Sequence, residues 1–145
     1  MRLDRNDLLK VIATATGSSP PIIAVPGHFE NWARERKLPR ELSQLLLTTA
    51  FSTEVIVGPI AFCDFGRICQ WDQDFPHFIK QGFLCVGTVL DGDFVVIHFH
   101  DKGTTGILSH DGSYWEEKAD LSSMFTPIAE SIGAFAKIAL NEIDG

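Results

Sequence analysis

The sequence predicts an α+β domain in which a mostly antiparallel sheet is flanked by helices. Three observations carry this expectation. Apolar residues at helical spacing gather toward the two ends of the chain, and the stretch between holds short β-branched runs separated by Gly–Asp turns. The length, 145 residues, suits one domain rather than two, so residues 1–145 are read as a single unit with 1–37 as an N-terminal helical segment.

Each element follows from its residues. "DRNDLLKVIATAT" places Leu8, Leu9 and Ile12 at helical spacing, and "GSSPP" stops that helix. "PGHFENWARERKLP" has Phe29 and Trp32 three apart, enough for a helical turn before a mixed-charge segment. "PRELSQLLLTTAF" starts with Pro39, has an early Glu41 and repeats Leu42, Leu45 and Leu46, which predicts an amphipathic helix. "TEVIVGPIAFCDFGRI" then reads as strand, with Gly58–Pro59 as punctuation. "DFPHFIKQG" is a short helix or loop through Phe75, Phe78 and Ile79.

"GFLCVGTVL", "DFVVIHFH" and "TGILSHD" are strands joined by hairpin-sized gaps at 91–93 and 101–106, with a further turn at 111–112. At the end, Pro127 opens a helix whose stripe is Ile128, Ile132, Phe135, Ala136, Ile138 and Ala139.

Composition narrows the function. A formal charge of −7 disfavours generic binding to nucleic acid through phosphate contacts. The longest apolar run, "FVVIHF", falls far short of the roughly 18 residues of a membrane span. "MRLDRNDLLK" mixes both charge signs and lacks a secretory apolar core, so the expected location is cytoplasmic. Cys63, Cys69 and Cys85 are odd in number with no CxxC spacing, and read as buried reduced thiols.

The chemistry turns on "GDFVVIHFHDKGTTG". His98 and His100 lie two apart on a strand and point the same way, about 6.5–7 Å apart, so both can reach one ion. The spacing Gly92, five residues, His98, one residue, His100 is that of a first cupin motif. No Glu follows until Glu116, and no second motif exists; the nearest carboxylate is Asp101. A small metal-dependent enzyme using His98, His100 and His110 is the competing reading.

On the same strand, Val95, Ile97 and Phe99 are expected to face the closing helix through Ile132 and Phe135. His98 and His100 then occupy the wetter face. No GxSxG elbow, Walker loop or dinucleotide fingerprint occurs, so no cofactor is implied. Asp72 and Asp74 read as a solvated loop. Trp32, Trp71 and Trp115 sit among polar residues, either marking an interface or capping the core with the indole N–H kept wet. Asp91, Asp93, Asp111 and Trp115 gather in the turns at one sheet end, which makes them the candidate partner-binding residues.

Taken in order, four segments resemble one family. "LPRELSQLLLTTAF" is similar to the helix that begins Leu-Pro in the SUKH superfamily, which includes fungal cell-wall-assembly regulators and bacterial immunity proteins. "GFLCVGTVLDGDFVVIHF" resembles its central strand, turn and strand, and "TTGILSHD" the strand that follows. "DLSSMFTPIAESIGAFAKI" resembles its closing helix, with Ser131 and Phe135 in the family's Ser and Phe places. The likeness runs from residue 38 to about 140. It implies an α+β fold without catalysis, in which Gly92 and Asp93 form a turn and His98 and His100 end a strand with no metal required. It also implies direct binding of a protein partner, in bacterial members a co-encoded toxin such as a nuclease, which the −7 charge would suit if its surface is basic; a regulator or scaffold of the same fold that binds an endogenous protein is a further reading.

Overall fold

Among the described residues, the β-rich middle of the chain forms a six-stranded antiparallel meander whose strands lie side by side in chain order. The computed structural model describes residues 1–17, 27–48 and 53–142. Three helices come first: α1 (Arg5–Thr16), α2 (Gly27–Glu35) and α3 (Arg40–Thr48). Strands β1 (Val55–Val57) and β2 (Ile60–Phe62) lead into α4 (Phe65–Asp74) and α5 (His77–Lys80). Then come β3 (Phe83–Val89), β4 (Phe94–His98) and β5 (Thr104–Leu108), a 3-10 turn at Leu121–Met124, β6 (Phe125–Ala129) and α6 (Ile132–Asn141). The α+β class stands.

Register divides the sheet into two faces. Val95 pairs with Ile107 and Ile97 with Thr105, and cross-strand partners share a face. On that side, Phe135 of α6 lines one groove together with Ile60, Val89 and Ile107. The opposite side carries Phe94, whose ring meets Trp71 of α4 at 6.1 Å and Phe78 of α5 at 5.8 Å. Helices therefore cover both faces, and Phe94 through Ile97 are all buried.

This corrects the expectation of a wetter face for His98 and His100. A strand dry on both sides has no alternation to read. Water reaches only the strand's end, where His98 is half-buried and His100 exposed.

Two element boundaries also differ from the expectation. The run through "CDFGRI" is not strand beyond Phe62. Asp64 caps a new helix by accepting a hydrogen bond from the Arg67 amide at 2.9 Å, and Phe65, Ile68 and Trp71 form its inward side. At the other end, Pro127 lies in edge strand β6, where a missing N–H is tolerated. The closing helix starts at Ile132 instead, capped by the Ser131 hydroxyl, which accepts from the Ala134 amide at 3.0 Å. Ile128 and Ile138 consequently leave the buried stripe and are 43% and 41% exposed.

Helices α1 and α6 are packed against each other. The Gly133 amide donates to the Leu3 carbonyl at 3.0 Å, and a Cβ on Gly133 would overlap the Asp4 carbonyl oxygen. The Ser131 hydroxyl donates to Asp4 at 2.6 Å, and Arg2 pairs with Glu130.

Candidate functional site

The β3–β4 turn and the segment after β5 meet at one end of the central hairpin. The turn closes with the Val89 amide on the Asp93 carbonyl at 2.8 Å and the Gly92 amide on the Val89 carbonyl at 2.9 Å. Gly92 has φ of 100°, a conformation that disfavours a side chain. The Asp91 carboxylate accepts from the Asp93 amide at 3.0 Å, an Asx turn that leaves Asp91 itself exposed.

Asp93 reaches across to the next strand's exit. One of its oxygens accepts from the His110 backbone N–H at 3.0 Å and from the His110 ring Nδ1–H at 2.5 Å. The hydrogen bond to Asp93 raises the ring's pKa above its ordinary value. Burial opposes ionisation of Asp93, yet the two bonds from His110 outweigh it and keep the carboxyl below the ordinary value. Asp111, 86% exposed at its side chain, lies 3.6 Å from the other ring nitrogen. Asp91, Asp93 and Asp111 are thus brought together around His110, as the turn composition predicts.

Trp115 lies beyond them on a different support. It is 58% exposed and sets its ring edge-on to Tyr114, with centroids 5.3 Å apart. Tyr114 in turn rests on Phe94 and Phe75, at 5.1 and 5.4 Å. The His77 ring N–H donates to the Tyr114 carbonyl at 2.6 Å and holds the segment down. An aromatic side chain open to solvent on a rigid base has the character of a binding anchor.

The three histidines of the enzyme reading are not assembled. His98 pairs with Thr104, whereas His110 lies past Leu108, which pairs with Phe94 at the other end of β4. His98 stacks on Phe83 at 4.1 Å, and burial lowers its pKa. His100 is exposed and edge-on to Phe99 at 5.0 Å. Among the described residues, the group with metal-compatible spacing is Asp91, Asp93 and His110, whose ligand atoms lie within 4.8 Å of one another. In that group Nδ1 is already committed to Asp93.

Burial pushes Cys69 up to about 11 and holds Cys63 and Cys85 well above the ordinary thiol range, so the thiolate is scarce near neutrality. Cys63, Asp64, Arg67 and Gln70 line an open polar cleft of about 540 Å³ beside the start of α4.

Two aspartates assigned to a solvated loop lie instead in α4, and Asp72 is buried. It accepts from Trp32 Nε1 at 2.9 Å and from Arg36 Nε at 2.6 Å, while its Oδ1 has no partner among the described residues. The Trp32 indole is therefore kept satisfied by a carboxylate rather than by water. Trp71 is a core residue with the Arg67 guanidinium 5.2 Å above its ring. Sequence reading had no signal for this cluster, because its members lie as much as 40 residues apart. No family model and no curated protein matches the chain.

Proposed function

We propose that this protein is a non-catalytic binding module of the cytoplasm, an immunity-type protein that neutralises a co-encoded toxin domain by covering it. The observation that carries the reading is the gathering of Asp91, Asp93 and Asp111 around His110, with a 58% exposed Trp115 four residues past Asp111. Clustered carboxylates speed the approach of a basic partner, and an exposed indole on a rigid aromatic base slows its departure. The net charge of −7 and the resemblance of residues 38 to about 140 to the SUKH superfamily agree with such a role. A toxin with a basic active surface, such as a nuclease, is the partner class that this charge favours.

The test is co-expression with the product of the neighbouring gene, followed by pull-down and a toxicity assay. A stoichiometric complex and rescued growth are expected, both weakened when Trp115 is replaced by Ala. Capture of nothing from a verified toxin neighbour overturns the reading. Elemental analysis of the purified chain adds a second arm, with no stoichiometric transition metal expected. Near one equivalent, lost in His110→Ala, would point to metal chemistry instead.

A further inference from the structure

Among the described residues, six large hydrophobic side chains are exposed, and four of them border one continuous surface. Ile128 and Ile138 flank a groove of about 270 Å³ between α6 and the sheet, floored by Ile60, Val89 and Phe135. Pro59 lines that groove and also two shallower depressions that hold Ile56, 57% exposed, and Leu90, 88% exposed. A soluble surface seldom leaves a leucine that open beside an apolar groove unless something covers it.

The rim says what kind of group that is. Asp91, Asp93 and Glu142 border the groove, and no lysine or arginine lines any of the three depressions among the described residues. Two helices end here as well: Ala15, in the last turn of α1, and Glu142, the C-cap of α6, both line the depression beside Leu90. Neither helix has a basic residue in its last turn, so neither neutralises the negative end of its own dipole. An apolar floor inside a negative rim selects apolar side chains flanked by cations. A second copy of the chain, itself at −7, brings the wrong charge.

We propose that this groove docks a partner segment that presents apolar side chains flanked by lysine or arginine, in the manner of a basic amphipathic helix. The inference rests on the binding-module reading and deepens it, because it puts the apolar centre of the interface beside α6 with the Asp91–Asp93 turn on its rim.

The experiment titrates the isotopically labelled full chain with a synthetic helical peptide carrying leucine at i, i+3, i+4 and i+7 and lysine elsewhere. Two controls replace the leucines by serine or the lysines by glutamate. The leucine–lysine peptide is expected to bind saturably, to shift the amides of Val89, Ile107 and Ile138, and to weaken as salt screens the rim. Leu90→Ser and Ile138→Ser, both on exposed side chains, are expected to weaken it by about tenfold, the loss of an interface anchor, while spectra elsewhere stay native.

Equal binding of the serine–lysine peptide, equal binding of the leucine–glutamate peptide, or shifts that map elsewhere would each overturn the proposal. So would a dimer of the chain that Leu90→Ser dissolves. The two readings fail separately. If the groove holds the peptide but no toxin is captured, the immunity role falls. If a captured toxin binds Leu90→Ser/Ile138→Ser as it binds the wild type, the groove falls.

Discussion

Asp93 and His110 are joined twice, by the His110 backbone N–H at 3.0 Å and by its ring Nδ1–H at 2.5 Å, both donated to the same carboxylate oxygen. The candidate partner surface is built around this clamp, and it gives the surface a pH dependence. His110's pKa lies above its ordinary 6.5, so its contribution to stability is full below about 6.5 and fades as pH rises through the raised folded value. Asp93's pKa lies below 3.8, so its contribution holds above about 3.8 and fades as pH falls through the lowered value. The gap in thermal midpoint between the wild type and His110→Ala should therefore be widest near about pH 5 and narrow as pH rises above about 6.5. Asp93→Ala should cost about 1–2 kcal/mol at that optimum, measured by urea unfolding. A gap that does not change with pH would mean that the pair is not held by charge.

The carboxylates around that clamp divide by role. Asp91 and Asp111 are exposed, while Asp93 is structural. With a cognate partner in hand, Asp91→Asn combined with Asp111→Lys should slow association and flatten its salt dependence. Unfolding should stay within about 0.5 kcal/mol of the wild type. Trp115→Ala should act mainly on dissociation. Stopped-flow or surface-binding kinetics would separate the two, and unchanged kinetics in both variants would move the interface elsewhere.

Arg36 and Asp72 make a sharper stability test. Asp72 is 2% exposed at its side chain and one of its oxygens has no partner among the described residues, so it depends on Arg36 and the Trp32 indole. Arg36→Met strands a buried charge and should cost about 3 kcal/mol or more in urea unfolding. Arg34→Met, which breaks the exposed 3.7 Å pair with Glu30, should cost under about 1 kcal/mol. Similar costs for the two would show that the buried pair contributes no more than a surface pair.

Strand β4 offers the last comparison. Ile97 is fully buried, whereas Phe99 lies just past the end of the strand and is only half-buried. Ile97→Ala should therefore cost about 2–5 kcal/mol and Phe99→Ala less than that. His100→Ala should stay near about 0.5 kcal/mol. Calorimetry on the three variants checks the order, and a larger loss at His100 than at Ile97 would invert it.

How much of this was legible follows from where each signal resides. Helices α1 and α3 carry apolar spacing within their own sequence, and the β3–β4–β5 hairpins carry their Gly and Asp turns, so both could be read directly. Helix α4 could not. "FGRICQWDQD" opens on Phe and Gly and turns the polar Asp72 inward, and only distant Arg36 and Trp32 make that burial tolerable. The acidic turns of the candidate site were legible as composition. The Asp93–His110 link was not, because it depends on strand register rather than on any local pattern.

The joining of α1 to α6 bears on the order of events during synthesis. Each strand of the sheet pairs with its neighbour in sequence, so the meander can zip up locally as it leaves the ribosome. Helix α1 emerges long before α6 yet packs against it, and just ahead of the two helices Arg2 pairs with Glu130 across 128 residues. Until α6 is made, the side of α1 that packs against it stays open. The nascent chain thus exposes apolar surface between the making of α1 and that of α6, and the arrival of α6 is the latch that closes it.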